Sequence, residues 1–429
     1  MKPDNLGHLL PGPETIRRAV LDNGIVVLAR ANFNSPSVVI SGYLTAGNLL
    51  EPDEKLGLAG FTAAMLMRGT AQRSFQQIYD ALESVGAGLG FSGSTHTTSF
   101  GGRSLVEDLD LLVELTNQAL RAPTFPESYI ERLRKQILTG LAIRAQDTEE
   151  MASLVFDRIV YADHPYSRAE DGYPETIQAI TPQDLADFHR LCFGPRGMVI
   201  AIVGGIEPEA AIEKIHKVLG DWHNPHQRLV PELPPVRPLA QTVRQHIHIP
   251  GKSQVDLMLG CVGPERRSAD YLPAVLGNSV LGQFGMYGRI GERVRTQAGL
   301  AYYAYSSMSG GWGPGPWYAA AGIDPPHLDQ AISLILDEFR KFSTAPVSGE
   351  ELSDCQAQFV GSLPLSMESN GGVASALLNL ERYKLGLDYY QQYPSLIQAI
   401  TPAQVLETAQ RYLDPQRMAI VAAGSDLPQ

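Results

Sequence analysis

The hexapeptide IQAITP fills residues Ile177–Pro182 and occurs a second time at Ile397–Pro402, 220 residues later. The equivalence continues without a gap into two apolar runs, MVIAIVGG from Met198 and MAIVAAG from Met418. In each copy the threonine suits a helix N-cap and the proline suits the first helical position. Each copy therefore predicts a helix, a proline-containing turn and a buried strand. We conclude that the chain repeats one structural plan twice.

A proline-rich stretch separates the two copies. Residues 224–240 read NPHQRLVPELPPVRPLA and carry no apolar period, which is typical of a stiff, extended linker. We therefore predict an N-terminal domain at residues 1–223, a linker at 224–240 and a C-terminal domain at 241–429.

Strand and helix patterns are mixed within each half. Ile25–Leu28 and Val38–Leu44 are apolar runs that predict strands, the first of them after an Asn-Gly turn. Apolar residues recur at helical spacing between Leu109 and Ala119, between Ile130 and Leu141, and between Leu328 and Phe342. This mixture predicts an α+β fold, in which helices pack against a largely antiparallel sheet in each domain.

The composition excludes several classes of protein. The net charge of −12 and the lack of a Lys/Arg run argue against nucleic acid as a partner. No stretch approaches the roughly 18 apolar residues of a membrane helix, and the N-terminus has no apolar signal-peptide region. Cys192, Cys261 and Cys355 are far apart and form no CxxC pair, so we expect reduced core residues and a cytoplasmic location.

A second informative segment is GLAGFTAAMLMRGT, at Gly57–Thr70. It resembles the active-site segment of the inverted-motif zinc peptidases, the group that includes pitrilysin, insulin-degrading enzyme and mitochondrial processing peptidase. Their segment reads G-L-A-H-F-x-E-H-M-L-F-x-G-T. Its two histidines share one helix face and bind zinc, and the glutamate polarises the zinc-bound water. The resemblance implies two homologous domains arranged as half of a clamshell.

The working residues of that motif are missing here. Gly60 and Ala64 stand where the histidines would be, and Ala63 stands where the glutamate would be. The family's third ligand, a glutamate on a later helix, aligns near Thr139 and Gly140, and neither residue has a carboxylate. We therefore predict that this chain has no catalytic residue and no metal site of its own.

Other histidines are weak substitutes. His223 and His226 form an HxxH pair beside the linker, but no third ligand is evident, which favours a solvated loop. His246 and His248 alternate along a predicted strand, where surface histidines are ordinary. His96 lies in GSTHTTS, which resembles the family's strand near the cleft, so a contact role stays open beside a surface role.

The second half retains a different signature. The segment from Val280 to Tyr305, VLGQFGMYGRIGERVRTQAGLAYYAY, resembles the family's Gly-rich turn followed by a helix ending in L-R-E-x-x-G-L-A-Y. Arg295 and Tyr302 match its Arg and Tyr, whereas Thr296 replaces the usual Glu. In the family these two residues hydrogen-bond the substrate backbone, and both side chains suit carbonyl oxygens. The alternatives are an ion pair for Arg295 and simple packing for Tyr302.

Three functions are compatible with this pattern. The first is a non-catalytic subunit of a heterodimeric zinc metallopeptidase acting on short or unfolded peptides. By resemblance to two-subunit bacterial members, Arg295 and Tyr302 would bind the substrate, and a partner of similar size bearing H-x-x-E-H would supply the zinc. The second is a homodimeric structural or peptide-binding protein of the same fold, and the third is an enzyme with a new site.

Overall fold

A computed structural model describes residues 10–283 and 288–425 of the chain. Its strands form two sheets, ordered β1-β2-β6-β3-β5-β4 and β7-β11-β8-β10-β9. The first sheet contains β1 (Arg17–Val20), β2 (Val26–Ala31), β3 (Ser37–Leu44), β4 (Gly88–Gly93), β5 (Thr98–Leu105) and β6 (Val199–Gly204). The second contains β7 (Val243–His248), β8 (Val255–Val262), β9 (Ala301–Gly310), β10 (Pro314–Ile323) and β11 (Ala419–Gly424).

Helices fill the connections between the strands. Those before the linker are α1 (Leu58–Met65), α2 (Phe75–Glu83), α3 (Leu109–Arg121), α4 (Glu127–Arg144), α5 (Thr148–Val160), α6 (Pro174–Ala179), α7 (Pro182–Cys192) and α8 (Pro208–Leu219). Those after it are α9 (Tyr271–Asn278), α10 (Gly288–Gly291), α11 (Leu328–Thr344), α12 (Gly349–Ser366), α13 (Asn370–Arg382), α14 (Tyr389–Gln398) and α15 (Pro402–Tyr412). Two π-helical segments, Ser279–Gln283 and Glu292–Gln297, flank α10.

Five strands of the first sheet, β2-β6-β3-β5-β4, have the same order and pairing as the five strands of the second, and β1 is an additional edge strand. The mixed sheets with their helices confirm the α+β prediction. Neighbouring strands are antiparallel except for β2 with β6 in the first sheet and β7 with β11 in the second. The predicted helices at 109–119, 130–141 and 328–342 correspond to α3, α4 and α11. Thr181 and Thr401 accept hydrogen bonds from the third residue of α7 and of α15, as N-cap residues do.

Helices α6 and α14 end within the repeated hexapeptides, and their terminal carbonyl groups are bound in the same way. Arg134 on α4, only 5% exposed, donates to the backbone oxygens of Ile177 and Ile180. Gln356 on α12 donates to the backbone oxygens of Ile397 and Ile400 at 2.9 and 3.0 Å. A side chain from a neighbouring helix thus satisfies helix-end carbonyls in both halves, although the residue type differs.

The compact units of the molecule are discontinuous along the chain. The first contains residues up to Leu141 together with 168–232 and 364–391, and the second contains 142–167, 233–363 and residues from Gln392. Helix α5 therefore packs on β8 and β11, whereas α13 packs on β3 and β6. The stretch 224–240 has no helix or strand and separates the strands of the two sheets. Two helices are exchanged across it: α5 precedes the stretch in sequence but packs on the second sheet, and α13 follows it but packs on the first.

The interiors of the units are apolar, and their cysteines are free thiols. One core surrounds β3 and β6 with α3 and α7, and a second surrounds β8 and β10 with α11 and α15. All three cysteines are buried and unpaired, as the sequence predicts. None of the helices within 10–283 and 288–425 has the length and apolar character needed to cross a membrane.

Candidate functional site

Helix α1 carries the altered zinc motif and is buried on nearly every side. Its one partly uncovered stripe consists of Gly60 and Ala64, four residues apart, which are the positions of the two expected histidines. Ala63, the position of the glutamate, is only 1% exposed. The helix thus keeps the shape of a ligand-presenting face but has no donor atoms on it.

Glu51 holds the start of α1 in place. Its buried carboxylate accepts hydrogen bonds from the backbone N–H groups of Leu58 and Ala59, at 3.0 and 3.2 Å. These N–H groups belong to the first helical turn, where intrahelical partners are missing. Burial raises the pKa of Glu51 to about 8, against the lowering effect of these hydrogen bonds and of Arg168.

The residues present do not fit a zinc ion. Gly60, Ala63 and Ala64 offer no ligand atoms, and at the position of the third ligand the Thr139 hydroxyl donates to the backbone oxygen of Lys135 in its own helix. Within the described part of the chain, no group of three His, Cys, Asp or Glu side chains could hold a metal ion. Zinc-dependent hydrolysis by this chain therefore has no structural basis in α1 and α4.

The histidines that the sequence offers as substitutes lie on different elements. His223 and His226 lie in irregular structure at the start of the linker, and His246 and His248 lie on the edge strand β7. His96 is half-buried in the turn between β4 and β5, where the Asn48 N–H binds the backbone oxygen of Ser94 at 3.1 Å. A contact role for His96 stays a prediction.

The Gly-rich segment of the second half lies tightly against β9. A side chain at Gly282 would collide with the backbone nitrogen and hydroxyl of Ser306. Gly288, whose φ is +55°, comes so close to Gly282 that an added Cβ would be 2.5 Å from the Gly282 Cα. The glycines therefore permit close approach of the backbone. Residues 284–287 of this signature lie outside the described residues.

Arg295 and Tyr302 lie on consecutive elements of the second unit. Arg295 is in the π-helical segment Glu292–Gln297, and Tyr302 is the second residue of β9. Gly299 makes the turn between them with φ of +66°, and its N–H donates to the backbone oxygen of Arg295 at 3.1 Å. Tyr302 is 81% exposed, so its ring does not pack in the described core.

The strand that carries Tyr302 is at the edge of its sheet, and it is bulged at that residue. Tyr303 pairs with Gly322, but the next pair along β10 joins Ile323 to Ala301. Tyr302 is therefore the extra residue of a β-bulge, which re-aims a side chain at a sheet edge. Arg and Tyr can both donate to the carbonyl oxygens of a peptide placed there.

A buried carboxylate lies behind this edge. Asp256 on β8 accepts hydrogen bonds from the Tyr303 hydroxyl at 2.6 Å and from Gln254 Nε2 at 2.9 Å, and a third from the Thr148 hydroxyl of α5. Burial and the bond to Asp256 raise the pKa of Tyr303, so its phenol stays protonated and donates. Sequence reasoning missed this group, although Asp256 is the one charged residue in the apolar strand VDLMLGCV.

These features define a class: a two-unit α+β protein with a bulged, Tyr-bearing sheet edge in the second unit and no metal ligands at the motif positions of α1. Two models of one family match the chain. The model described as Insulinase (Peptidase family M16) matches residues 26–169, and the model described as Peptidase M16 inactive domain matches residues 179–359. The chain belongs to the M16 peptidase family.

Similar proteins include both peptidases and an inactive relative. An uncharacterized zinc protease of Streptomyces coelicolor is 23% identical over 85% of this chain and 80% of its own length. The beta subunit of the mitochondrial-processing peptidase of Saccharomyces cerevisiae is 25% identical over the same shares. A solved peptidase M16 inactive domain from Pseudomonas fluorescens is 27% identical, with a TM-score of 0.89 over 96% of this chain and 98% of its own. The missing motif is consistent with the inactive relative.

Proposed function

We propose that this chain is a non-catalytic subunit of a heterodimeric zinc metallopeptidase that acts on short or unfolded peptides. The observation that carries the proposal is an asymmetry between the units. The first has no ligand atoms on α1, whereas the second presents Tyr302 to solvent on a bulged edge strand that follows Arg295. A protein serving only as a scaffold has no evident use for that arrangement.

The position of β9 at the sheet edge supports a mode of peptide binding. An extended peptide adds to an exposed sheet edge through main-chain hydrogen bonds, and β9 is the last strand of its sheet. The Tyr302 hydroxyl and the Arg295 guanidinium then donate to carbonyl oxygens of that peptide, in addition to the ladder bonds. This chain holds no cofactor in the proposal. A partner subunit of similar size, bearing H-x-x-E-H, supplies the zinc and the hydrolytic step.

The three buried thiols suit a reducing compartment, and we infer a cytoplasmic place of action. Neither nucleic acid nor a membrane is required as a partner. Peptide substrates and the zinc-bearing subunit are the partners that the proposal needs.

Native mass spectrometry with zinc analysis, on the protein captured from its own source extract, tests the assembly. The expected result is a one-to-one complex with a zinc-loaded subunit of similar size. A zinc-free homodimer would instead favour the alternative, a structural or peptide-binding protein without proteolytic activity.

Site-directed variants of the purified complex test the residues. Arg295→Ala and Tyr302→Phe should lower peptide turnover by roughly tenfold or more, as loss of a substrate-carbonyl donor does, while the dimer stays intact. Arg244→Ala is the matched control, because Arg244 lies on the opposite edge strand β7 in an exposed ion pair with Asp329. Unchanged turnover in both site variants would refute the composite site.

A further inference from the structure

The carboxylate of Asp256 is unusual for a sheet interior. It is only 6% exposed, and its three hydrogen-bond donors, on Tyr303, Gln254 and Thr148, are all uncharged. A buried charge is expensive when hydrogen bonds alone compensate its lost hydration. Its presence on β8 in the second unit therefore calls for a reason other than stability.

The first unit shows that the fold does not need this charge. In the first sheet, Gly204 at the end of β6 pairs with Val38, and the next residue of β3 is Val39. In the second sheet, Gly424 at the end of β11 pairs with Val255, and the next residue of β8 is Asp256. In the second unit the exchanged helix α5 is bound to β8 through Thr148 and Asp256. In the first unit the exchanged helix α13 is bound to β3 by uncharged groups, because the Asn370 amide donates to the Ser37 backbone oxygen and hydroxyl, each at 3.3 Å. At this position, the repeated plan is thus complete without a carboxylate.

The charge in the second unit reaches the edge strand across an intervening strand. Tyr303 is on β9 and Asp256 is on β8, and Gly322 of β10 pairs with both. A Cβ at Gly322 would be 2.6 Å from the Tyr303 ring. The missing side chain therefore provides the space through which the ring passes to Asp256.

This bond fixes β9 beside its bulge, because Tyr303 directly follows the extra residue Tyr302. We propose that the hydrogen bond between Asp256 and Tyr303, made possible by Gly322, is a positioning device that holds the bulged edge of β9 in the conformation that binds peptide. The inference rests on the proposed function, since it assigns Asp256 and Tyr303 a role through Tyr302. Neither residue is proposed to touch the peptide.

The test is a double-mutant cycle on peptide affinity, using the full chain. The probe is fluorescein-labelled, carboxymethylated insulin B chain, an unfolded peptide, and the readout is fluorescence anisotropy. Tyr303→Phe should weaken binding about five- to tenfold, the effect of losing one hydrogen bond of ordinary strength. Tyr305→Phe is the matched control, because Tyr305 is on the same strand and its hydroxyl donates at 3.3 Å to the exposed carboxylate of Glu149. It should change affinity by less than about twofold, because the bond that it loses is long and its acceptor is exposed, whereas the half-buried ring stays in place.

The cycle separates positioning from a merely structural role. If Tyr303 acts through Tyr302, the combined Tyr302→Phe and Tyr303→Phe variant should lose clearly less than the product of the two single losses. Independent losses that multiply would overturn the inference. Thermal unfolding of each variant provides the folding control, and amide exchange along β9 should accelerate in Tyr303→Phe but not in Tyr305→Phe.

Two failures are distinguishable. If Tyr302→Phe weakens binding and Tyr303→Phe does not, the positioning role is wrong and the proposed function stands. If Tyr302→Phe leaves affinity unchanged, the positioning role fails, and if Arg295→Ala leaves it unchanged as well, the proposed function fails with it.

Discussion

Arg134 offers a quantitative test of the repeated plan, because the corresponding helix-end carbonyl oxygens of the second half are bound by a different residue, Gln356. The guanidinium of Arg134 binds the carbonyl oxygens of Ile177 and Ile180, and it lies 5.6 Å from the centre of the Phe61 ring on α1. We expect Arg134→Ala to destabilise the first unit strongly, and Arg134→Gln to do so much less. Glutamine at the equivalent position, Gln356, caps the second hexapeptide through its amide.

The expected loss of stability follows from the two kinds of interaction that the guanidinium makes. Removing the donor from buried carbonyl oxygens costs about 1–3 kcal/mol, and removing the cation–π interaction costs about 1–2 kcal/mol more. Arg134→Ala should therefore lower the free energy of unfolding by about 2–5 kcal/mol, which overlaps the range for breaking a buried charged interaction. Arg134→Gln keeps an amide donor and should lose about half of that. The control is Glu131→Gln, because Glu131 is 55% exposed and its ion pair with Arg134 is worth less than about 1 kcal/mol.

Urea unfolding followed by circular dichroism measures the total, and amide hydrogen exchange in α6 and α7 measures the local change. The exchange measurement matters because two compact units need not unfold in one transition. Equal losses in the alanine and glutamine variants would refute the equivalence of Arg134 and Gln356. A loss in Glu131→Gln as large as that in Arg134→Ala would show that the ion pair, not the carbonyl capping, dominates.

Three further predictions concern α1 and β10. Because burial raises the pKa of Glu51 from 4.5 to about 8, the folded state binds this proton more tightly, so stability should fall as pH rises from 4.5 to 8. Glu51→Gln should flatten that part of the pH profile measured by urea unfolding, and an unchanged profile would contradict it. The combined variant Gly60→His, Ala63→Glu and Ala64→His should bind zinc only weakly by calorimetry, because neither Thr139 nor Gly140 supplies the third, carboxylate ligand, and tight binding would refute that argument. Its melting temperature should fall, because the new glutamate would occupy a position that is only 1% exposed. Gly322→Ala should displace the Tyr303 ring and the Gln254 amide, and it should lower the free energy of unfolding, measured in urea, by roughly 1–3 kcal/mol. A neutral effect would show that the two side chains crossing Gly322 are not constrained.

Much of the fold could be predicted from local patterns in the sequence. The hexapeptides located equivalent helices and strands in the two halves, and apolar spacing located α3, α4 and α11. The exchange of α5 and α13 could not be predicted, because apolar periodicity identifies the buried face of a helix but not the sheet that covers it. The missing zinc ligands were visible directly, since each required residue type was absent from a fixed position.

The supporting residues of the candidate site were beyond reach for a related reason. Asp256 binds a hydroxyl 47 residues later and another 108 residues earlier in the chain. An isolated acidic residue in an apolar strand signals a special position, but it does not identify its donors. Only the register of three neighbouring strands brings Tyr303, Gly322 and Asp256 into line.

The exchanged helices also constrain how the chain is made. The first sheet emerges from the ribosome early, yet α13, which covers β3 and β6, begins only at Asn370. More than 160 residues are therefore synthesised after β6 before α13, which packs on that face of the sheet, is available. The first unit therefore cannot complete its folding before most of the second unit has been synthesised. Until then the nascent chain exposes an apolar surface of the kind that chaperones bind.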